Sequence, residues 1–386
     1  MYFKALFWIF IVIFSQSYSA EAPQFIQKYG KTIPQIEPAE SNDCSIMAKK
    51  ISDYFCKFIP TSKKSVQIKA KEALENKITT IIKEKKALSL LLLGFPFKST
   101  NHEKKCLSAH VDMAEYLSMI TLQTMVNNIN SVYPNTHCNI ISDGLAYHID
   151  DYDPSYENIL NYHDEMNNLL QEFPGLSFIS WEINDHTYSY KNLQTKVSLV
   201  PIKPAENKAR LQEMSSFVST EFDCSLWQNI FLEKAKEEFT KQQQNVKQKT
   251  LKPKQQDQEI STIKNQLIKT KASIVVPQLI TKGKQFSTLV TQEFPHYNEC
   301  IRLSVHCDKE EVDLSHKIPI SLIYGHFGTP WHNAIVVDQD ECHLFKDVFK
   351  KSSFSNKQVV NFDMLTKQNK IISLKYIKNQ EHRNES

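Results

Sequence analysis

The chain of 386 residues combines 41% hydrophobic residues with 23% charged ones, a balance that can bury a sizeable core and excludes a wholly disordered chain. Forty-six basic against 43 acidic residues leave a formal charge of +3, so charge alone implies no nucleic-acid partner. Only seven glycines are present, which excludes a dinucleotide fingerprint or a P-loop; any bound phosphate has to be held by Lys, Arg, His or helix N-termini.

In chain order, residues 1–20 carry Lys4, an apolar stretch from Ala5 to Phe14 and a small-residue end, the layout of an export signal. The apolar stretch is short for a membrane span. A signal cleaved near Ser19 or Ala20 makes the protein secreted or periplasmic/lumenal, with no stable membrane span; an uncleaved segment tethers it and can keep its active side in the cytoplasm. Residues 21–84 form a lead-in with helices: an irregular segment with three prolines over 21–42, then helical patterns over 43–58 and 65–85.

The main domain is expected over 85–375. It opens with an apolar strand at 87–93, a helix at 105–130 and a strand at 137–142 that enters the Asp143–Gly144 turn. A helix at 154–171, a strand at 175–183 and helical pattern over 205–240 follow. The Lys/Gln-rich tract over 241–266 has almost no large apolar residues and reads as a solvated helix or mobile insertion. Beyond a helix at 272–291 come three strand-like runs, CIRLSVHC, KIPISLIYG and WHNAIVVDQ, and a charged tail over 376–386. This alternation predicts an α/β, Rossmann-like fold with a mainly parallel sheet flanked by helices and a small N-terminal helical region.

All eight cysteines lie beyond residue 20. Cys44 and Cys56 fall on one predicted helix about 18 Å apart, beyond disulfide reach. Cys307 with His306 or His316 matches no standard zinc spacing, so no metal is expected.

In such a sheet, function collects at the carboxyl ends of the strands. Lys98 follows the first strand, Asp143 the second, and the cluster HIDDYD lies one loop further on. Each has a plainer reading: a surface lysine, turn chemistry, a solvated acidic loop. His163 reads most simply as a surface histidine. Arg302, Ser304 and His306 alternate and so share one face of a strand, while TPWHN joins a costly-to-expose Trp331 to an imidazole that can move protons near neutral pH.

The ordered set GFPFKSTN…K, SDGLAYHIDD, NYH, RLSVH and TPWHN, from about residue 85 to 338, resembles the isocyanide (isonitrile) synthases of the pyoverdine/dityrosine biosynthesis family. The resemblance implies an enzyme that turns the α-amine of an amino acid, tyrosine or tryptophan, into an isocyanide with ribulose 5-phosphate as carbon donor. An N-formyl product is the family's neighbouring outcome. It implies no metal or organic cofactor, and a partner oxygenase in the pathway. Carried onto this chain, the catalytic set is Lys98, Asp143, Asp151, His306 and His332. Within it, Lys98 (with Arg302) holds the phosphosugar or forms a Schiff base, His306 and His332 move protons, and Asp143 or Asp151 serves the amine. Ser99, Asn101, Lys104, His163, Arg302, Ser304, Thr329 and Trp331 form the substrate-binding set. Two other classes stay open: an exported binding or effector protein that keeps the fold without turnover, and a hydrolase or lyase acting on another small substrate.

Overall fold

The computed structural model describes residues 24–38, 42–59, 67–103, 105–142, 144, 148–149, 152, 154–179, 201, 208–245, 252–294, 297–305, 311–326, 328–338, 341–344, 358–363 and 368–373. Residues 1–20 and the tail, with the expectations attached to them, lie outside these, as do Lys104, Asp143, Asp151 and His306.

Three N-terminal helices build onto the main core. The lead-in expected to be irregular contains α1 (Gln24–Thr32), because Phe25, Ile26 and Tyr29 make an apolar stripe that buries. Tyr29 then ties distant segments, its hydroxyl 2.6 Å from Thr121 Oγ1 and accepting the Tyr324 N–H at 2.8 Å. Helix α2 (Cys44–Cys56) starts at an Asp43 cap. The helix expected from residue 65 is instead strand β1 (Gln67–Lys69) followed by α3 (Lys71–Lys83). The break is at Ala70, in left-handed conformation, and β1 exists because it pairs in parallel with β6 (Glu311–Asp313), a partner more than 240 residues away.

The central sheet is fully parallel and has the order β4–β3–β2–β5–β7, formed by β2 (Ser89–Leu93), β3 (His137–Ile141), β4 (Leu176–Ile179), β5 (Ile301–Ser304) and β7 (Ile318–Pro319). The predicted α/β, Rossmann-like architecture is therefore the one found. Its strands read as apolar runs because both faces are covered. Leu90 and Leu92 join the large core under α4 (Met113–Asn130), whereas Leu91 packs with Ile141, Phe286, Leu289 and Val290 on the other face. Pro319 cannot donate to a ladder and limits β7 to a two-residue edge strand. From β2 the chain runs outward through β3 and α5 (Tyr156–Leu170) to β4, then returns to the opposite side of β2 as β5. The switch point, and with it the binding crevice of this architecture, thus lies beyond the carboxyl ends of β2 and β5.

The third strand-like run becomes β8 (Ile335–Asp338) in a separate antiparallel sheet of order β11–β10–β8–β9 with β9 (Glu341–Leu344), β10 (Gln358–Asp363) and β11 (Gln368–Ser373). Phe362 of β10 stacks on Tyr116 of α4, ring centroids 4.6 Å apart. Between β4 and β5 run α6 (Lys208–Glu221), α7 (Ser225–Asn245) and α8 (Pro253–Glu293), the last packing its C-terminal part on the sheet face through Phe286, Leu289 and Val290. Of the Lys/Gln tract expected over 241–266, residues 253–266 form the largely exposed start of α8, and 246–251 lie outside the described residues. These three helices share a small core of their own, in which Val218, Phe222, Phe231 and Val276 meet Ile149 and Tyr152. Among the described residues all seven cysteines are free thiols and no helix is long and apolar enough to cross a membrane.

The crossing of the β2 and β3 exits is tight: a Cβ on Gly144 would lie 2.1 Å from the carbonyl oxygen of Pro96. Because the obstacle is backbone, Gly144→Ala is expected to lower stability by about 2 kcal/mol or more, read as a fall in the urea midpoint; an unchanged midpoint would show that the two exits do not touch.

Candidate active site

The polar segment that leaves β2 is a clamp. Lys98, 1% exposed, is inserted between the start of α4 and the turn at Pro330–His332. Its Nζ lies 3.0 Å from Asp112 Oδ1 and 2.7 Å from Glu115 Oε2, and donates to the carbonyls of Pro330 (3.2 Å) and Asn333 (3.3 Å). Although burial opposes it, Asp112 and Glu115 hold the Lys98 ammonium well above the ordinary lysine value. Burial pushes the Glu115 carboxyl up, with Lys98 working against the shift. The same two acids explain why the helix expected from residue 105 starts only at Met113. Asp112 accepts the Ala114 N–H at 2.7 Å and Glu115 accepts the Asp112 N–H at 3.0 Å, a reciprocal capping box.

The next residues grip the corner between α6 and α7. Ser99 donates to Glu221 Oε2, and the Lys105 ammonium contacts Glu221 Oε1. Asn101 donates from its side chain to the Thr220 and Asp223 carbonyls at 2.9 and 3.2 Å, and Glu103 accepts the Ser225 N–H at the start of α7. His332 completes the cluster, its Nδ1 3.3 Å from Glu221 Oε1. Burial alone would raise the Glu221 carboxyl, but His332 and Lys105 hold it at about 2. Burial also lowers His332 below the ordinary histidine value, against the pull of Glu221.

His163 is buried on α5, where its Nε2 meets Ser142 Oγ at 2.6 Å and the Pro96 carbonyl at 3.0 Å. It tethers α5 to the exits of β2 and β3. Trp331 is core: its ring packs edge-to-face on Phe95 (5.0 Å) and fills the space beside Gly94, while its carbonyl accepts the Ser99 N–H. The Thr329 carbonyl accepts the His332 N–H and the Asn333 side chain, which shapes the turn. Arg302 pairs in register with Leu91, mid-strand, and Ser304 ends β5 beside Pro319. The structure therefore brings Lys98, Ser99, Asn101 and His332 into one assembly with the turn of Thr329 and Trp331, and puts His163 and Arg302 on neighbouring supports.

A cavity of about 500 Å³ opens beside this assembly, lined by Lys98, Thr100, His102, Tyr152, Pro154, Trp227, Ile230, Phe231, Lys234 and Lys271 among others. Trp227, Ile230, Phe231 and Lys234 lie at i, i+3, i+4 and i+7 of α7, one face of the helix. Trp227 is held by an Nε1–H donation to Thr100 Oγ1 at 3.3 Å. Aromatic walls with two lysine ammoniums from different helices suit a ligand that is part ring, part anion. Sequence reasoning missed Glu221, Lys105, Asp112 and the cavity wall. Only the periodicity of α7 carried a signal, and nothing in it marks which way that face turns.

The fold is that of an α/β protein with a parallel sheet, a polar clamp at the exit of β2 and a half-open cavity beside that clamp. The family described as pyoverdine/dityrosine biosynthesis protein matches residues 78–359, most of the chain, and the chain belongs to that family. Isocyanide synthase xanB of Aspergillus fumigatus is 26% identical over 282 residues, 67% of this chain but only 33% of that longer protein. The L-tryptophan isonitrile synthases AmbI2 and AmbI1 of Fischerella ambigua are 24% identical over 273 residues and 26% over 290. Each match spans 70% of this chain, and 74% and 76% of theirs. The crystal structure of PvcA from Pseudomonas aeruginosa superposes with a TM-score of 0.58 at 16% identity, covering 79% of this chain and 94% of that one, a likeness of fold.

Burial lowers the His163 imidazole from 6.5 to about 4. The fold holds its neutral form, so the stability it contributes is complete above pH 6.5 and is lost as pH falls toward 4. Relative to His163→Asn, the wild-type chain is expected to lose about 2 kcal/mol of unfolding free energy between pH 7 and pH 4.5. Urea unfolding at the two pH values measures this, and parallel behaviour of the two proteins would refute it.

Proposed function

We propose that the chain is an isocyanide synthase-like enzyme that acts on the α-amine of an aromatic amino acid, tyrosine or tryptophan, with ribulose 5-phosphate as carbon donor. The observation that carries this reading is the cavity past the exit of β2, aromatic on one wall and lysine-bearing on another, whose Lys98 also holds the turn that carries the partly buried His332. Family membership and two relatives named for L-tryptophan support it.

In this reading the amino acid's ring lies against Trp227, Phe231 and Tyr152, and the phosphate meets Lys234 and Lys271. Joining an amine to a ketone needs a group that takes a proton from the ammonium and one that returns a proton to the departing oxygen. His332 serves that exchange. Lys98 is held charged by two carboxylates, which makes it a poor Schiff-base nucleophile and a good strut. It belongs both to the cavity wall and to the turn that carries His332, so it couples the two. The amine role of Asp143 or Asp151, proton transfer by His306 and phosphate contact by Lys104 or Arg302 belong to the same proposal. So does a reaction without metal or organic cofactor, whose product a partner oxygenase then takes. Export through residues 1–20 is the proposed location, and N-terminal sequencing of the mature protein tests it.

Incubating the purified protein with ribulose 5-phosphate and a pool of amino acids, read by mass spectrometry, is expected to show one carbon gained at an aromatic amine. Folded protein that forms no such product would move the reading to an exported binding protein; phosphate release without carbon transfer would move it to a hydrolase or lyase. Trp227→Ala is expected to raise KM for the amino acid on the order of 10-fold. The Lys234→Ala/Lys271→Ala pair is expected to raise KM for the phosphosugar and to weaken its dependence on salt.

A further inference from the structure

The described residues that line the cavity include aromatic rings, lysines and one imidazole, that of His102. The segment that leaves β2 explains why it is there. Lys98 is spent on the two acids of α4, and Ser99, Asn101 and Glu103 are spent on the corner between α6 and α7. Of residues 98–103, His102 alone is exposed, so the same segment that fastens the corner presents one proton-carrying side chain to the cavity. Thr100 ties it to the aromatic wall. The Thr100 carbonyl accepts the His102 N–H at 3.1 Å, and the Thr100 hydroxyl accepts the Trp227 indole N–H at 3.3 Å. The backbone that carries the imidazole and the ring proposed to meet the amino acid's side chain thus share one anchor.

An amine adds to a ketone only after its ammonium gives up a proton, and the resulting carbinolamine loses water only when its hydroxyl takes one up. Imidazole is the side chain that does both near neutral pH. We propose that His102 is a catalytic residue of the cavity, the base that takes the ammonium proton of the amino acid. The freed nitrogen lone pair forms the C–N bond to the ketone carbon, and a nitrogen proton shifts to the oxygen. The imidazolium then returns its proton to that hydroxyl as the C–O bond breaks, which leaves an iminium, water and a neutral His102. This inference rests on the reading of the chain as an isocyanide synthase-like enzyme. His332 is not among the described residues that line the cavity, so His102 gives the exchange assigned to it above a carrier at the reacting atoms.

The charges around the ring suit a base. Partial burial lowers the imidazole below 6.5; the Ser99 carbonyl and Glu221 work against this, while Lys98 and His110 act with it. The neutral form is therefore the one present at pH 7. Lys98, Lys234 and Lys271 line the same cavity, and their positive charge disfavours the substrate's ammonium, which eases its loss of a proton.

Because His102 is exposed, His102→Gln is expected to leave the urea midpoint unchanged. Its kcat is expected to fall on the order of 10²- to 10⁴-fold while KM for either substrate changes little. The wild-type kcat/KM is expected to rise with pH along a limb that lies below pH 6.5, and this limb is expected to vanish in the variant. Proton NMR, with the His102 C2–H resonance assigned by its loss in the variant, is expected to show that resonance move when tyrosine or tryptophan is added without the phosphosugar. A His102→Gln enzyme that keeps its rate and its acidic limb overturns the inference and leaves the exchange to His332. A His102 resonance that neither amino acid moves at saturation overturns it as well. Wild-type protein that makes no isocyanide, although its His102 resonance moves, sinks the proposed reaction and the proton transfer with it, and leaves His102 a binding residue.

Discussion

The buried ammonium of Lys98 is the constraint on which the strand-end geometry depends. A lone charge in a dry interior costs several kcal/mol, and here it is met by two carboxylates and two backbone carbonyls. Those partners come from the first turn of α4 and from the Pro330–Asn333 turn, so one side chain fixes where a helix begins and where a remote turn returns to the sheet. Burial raises Glu115, and Tyr162 adds a donation to its Oε1 at 3.1 Å, which keeps the second acid satisfied. Removing any one member leaves the others uncompensated, which is why such clusters specify geometry more than they add stability.

From that fixed point the chain extends its hold outward. Ser99, Asn101, Glu103 and Lys105 spend their polar groups on the α6–α7 corner, and through it they seat three helices that have only a small apolar core of their own. The α6–α7 corner is thus joined to the β2 exit by polar contacts, whereas α8 meets the sheet through Phe286, Leu289 and Val290, and the cavity lies beside the polar joint. Residues that look like a dispersed substrate-binding motif turn out to be the fastening between that corner and the β2 exit. Ser99 and Lys105 set the place of Glu221, and Thr100 of the same segment that of Trp227.

How much was legible in the sequence follows from the range of the interactions involved. The apolar run at Leu90–Leu93, the helical pattern over 154–171 and the Asp-Gly pair at 143–144 are local signals, and the parallel α/β class could be argued from their alternation. The motif residues Lys98, Ser99 and Asn101 and the TPWHN segment were singled out as a set, and the structure does bring them together. Their partners were not legible. Glu221 stands in an unremarkable STEFDC stretch, more than 100 residues from Ser99, and β1 forms only because β6 lies beside it.

Local sequence determined composition class, most helices and strands, the family and the segment that would face the switch point, because propensity, capping and hydrophobic period act over a few residues. Tertiary structure decided which polar groups are struts and which are open to a ligand. That choice depends on burial and on charges supplied from elsewhere in the chain: Lys98 was an exposed-looking lysine until two acids of α4 closed on it, and His332 an ordinary imidazole until Glu221 arrived at its buried nitrogen.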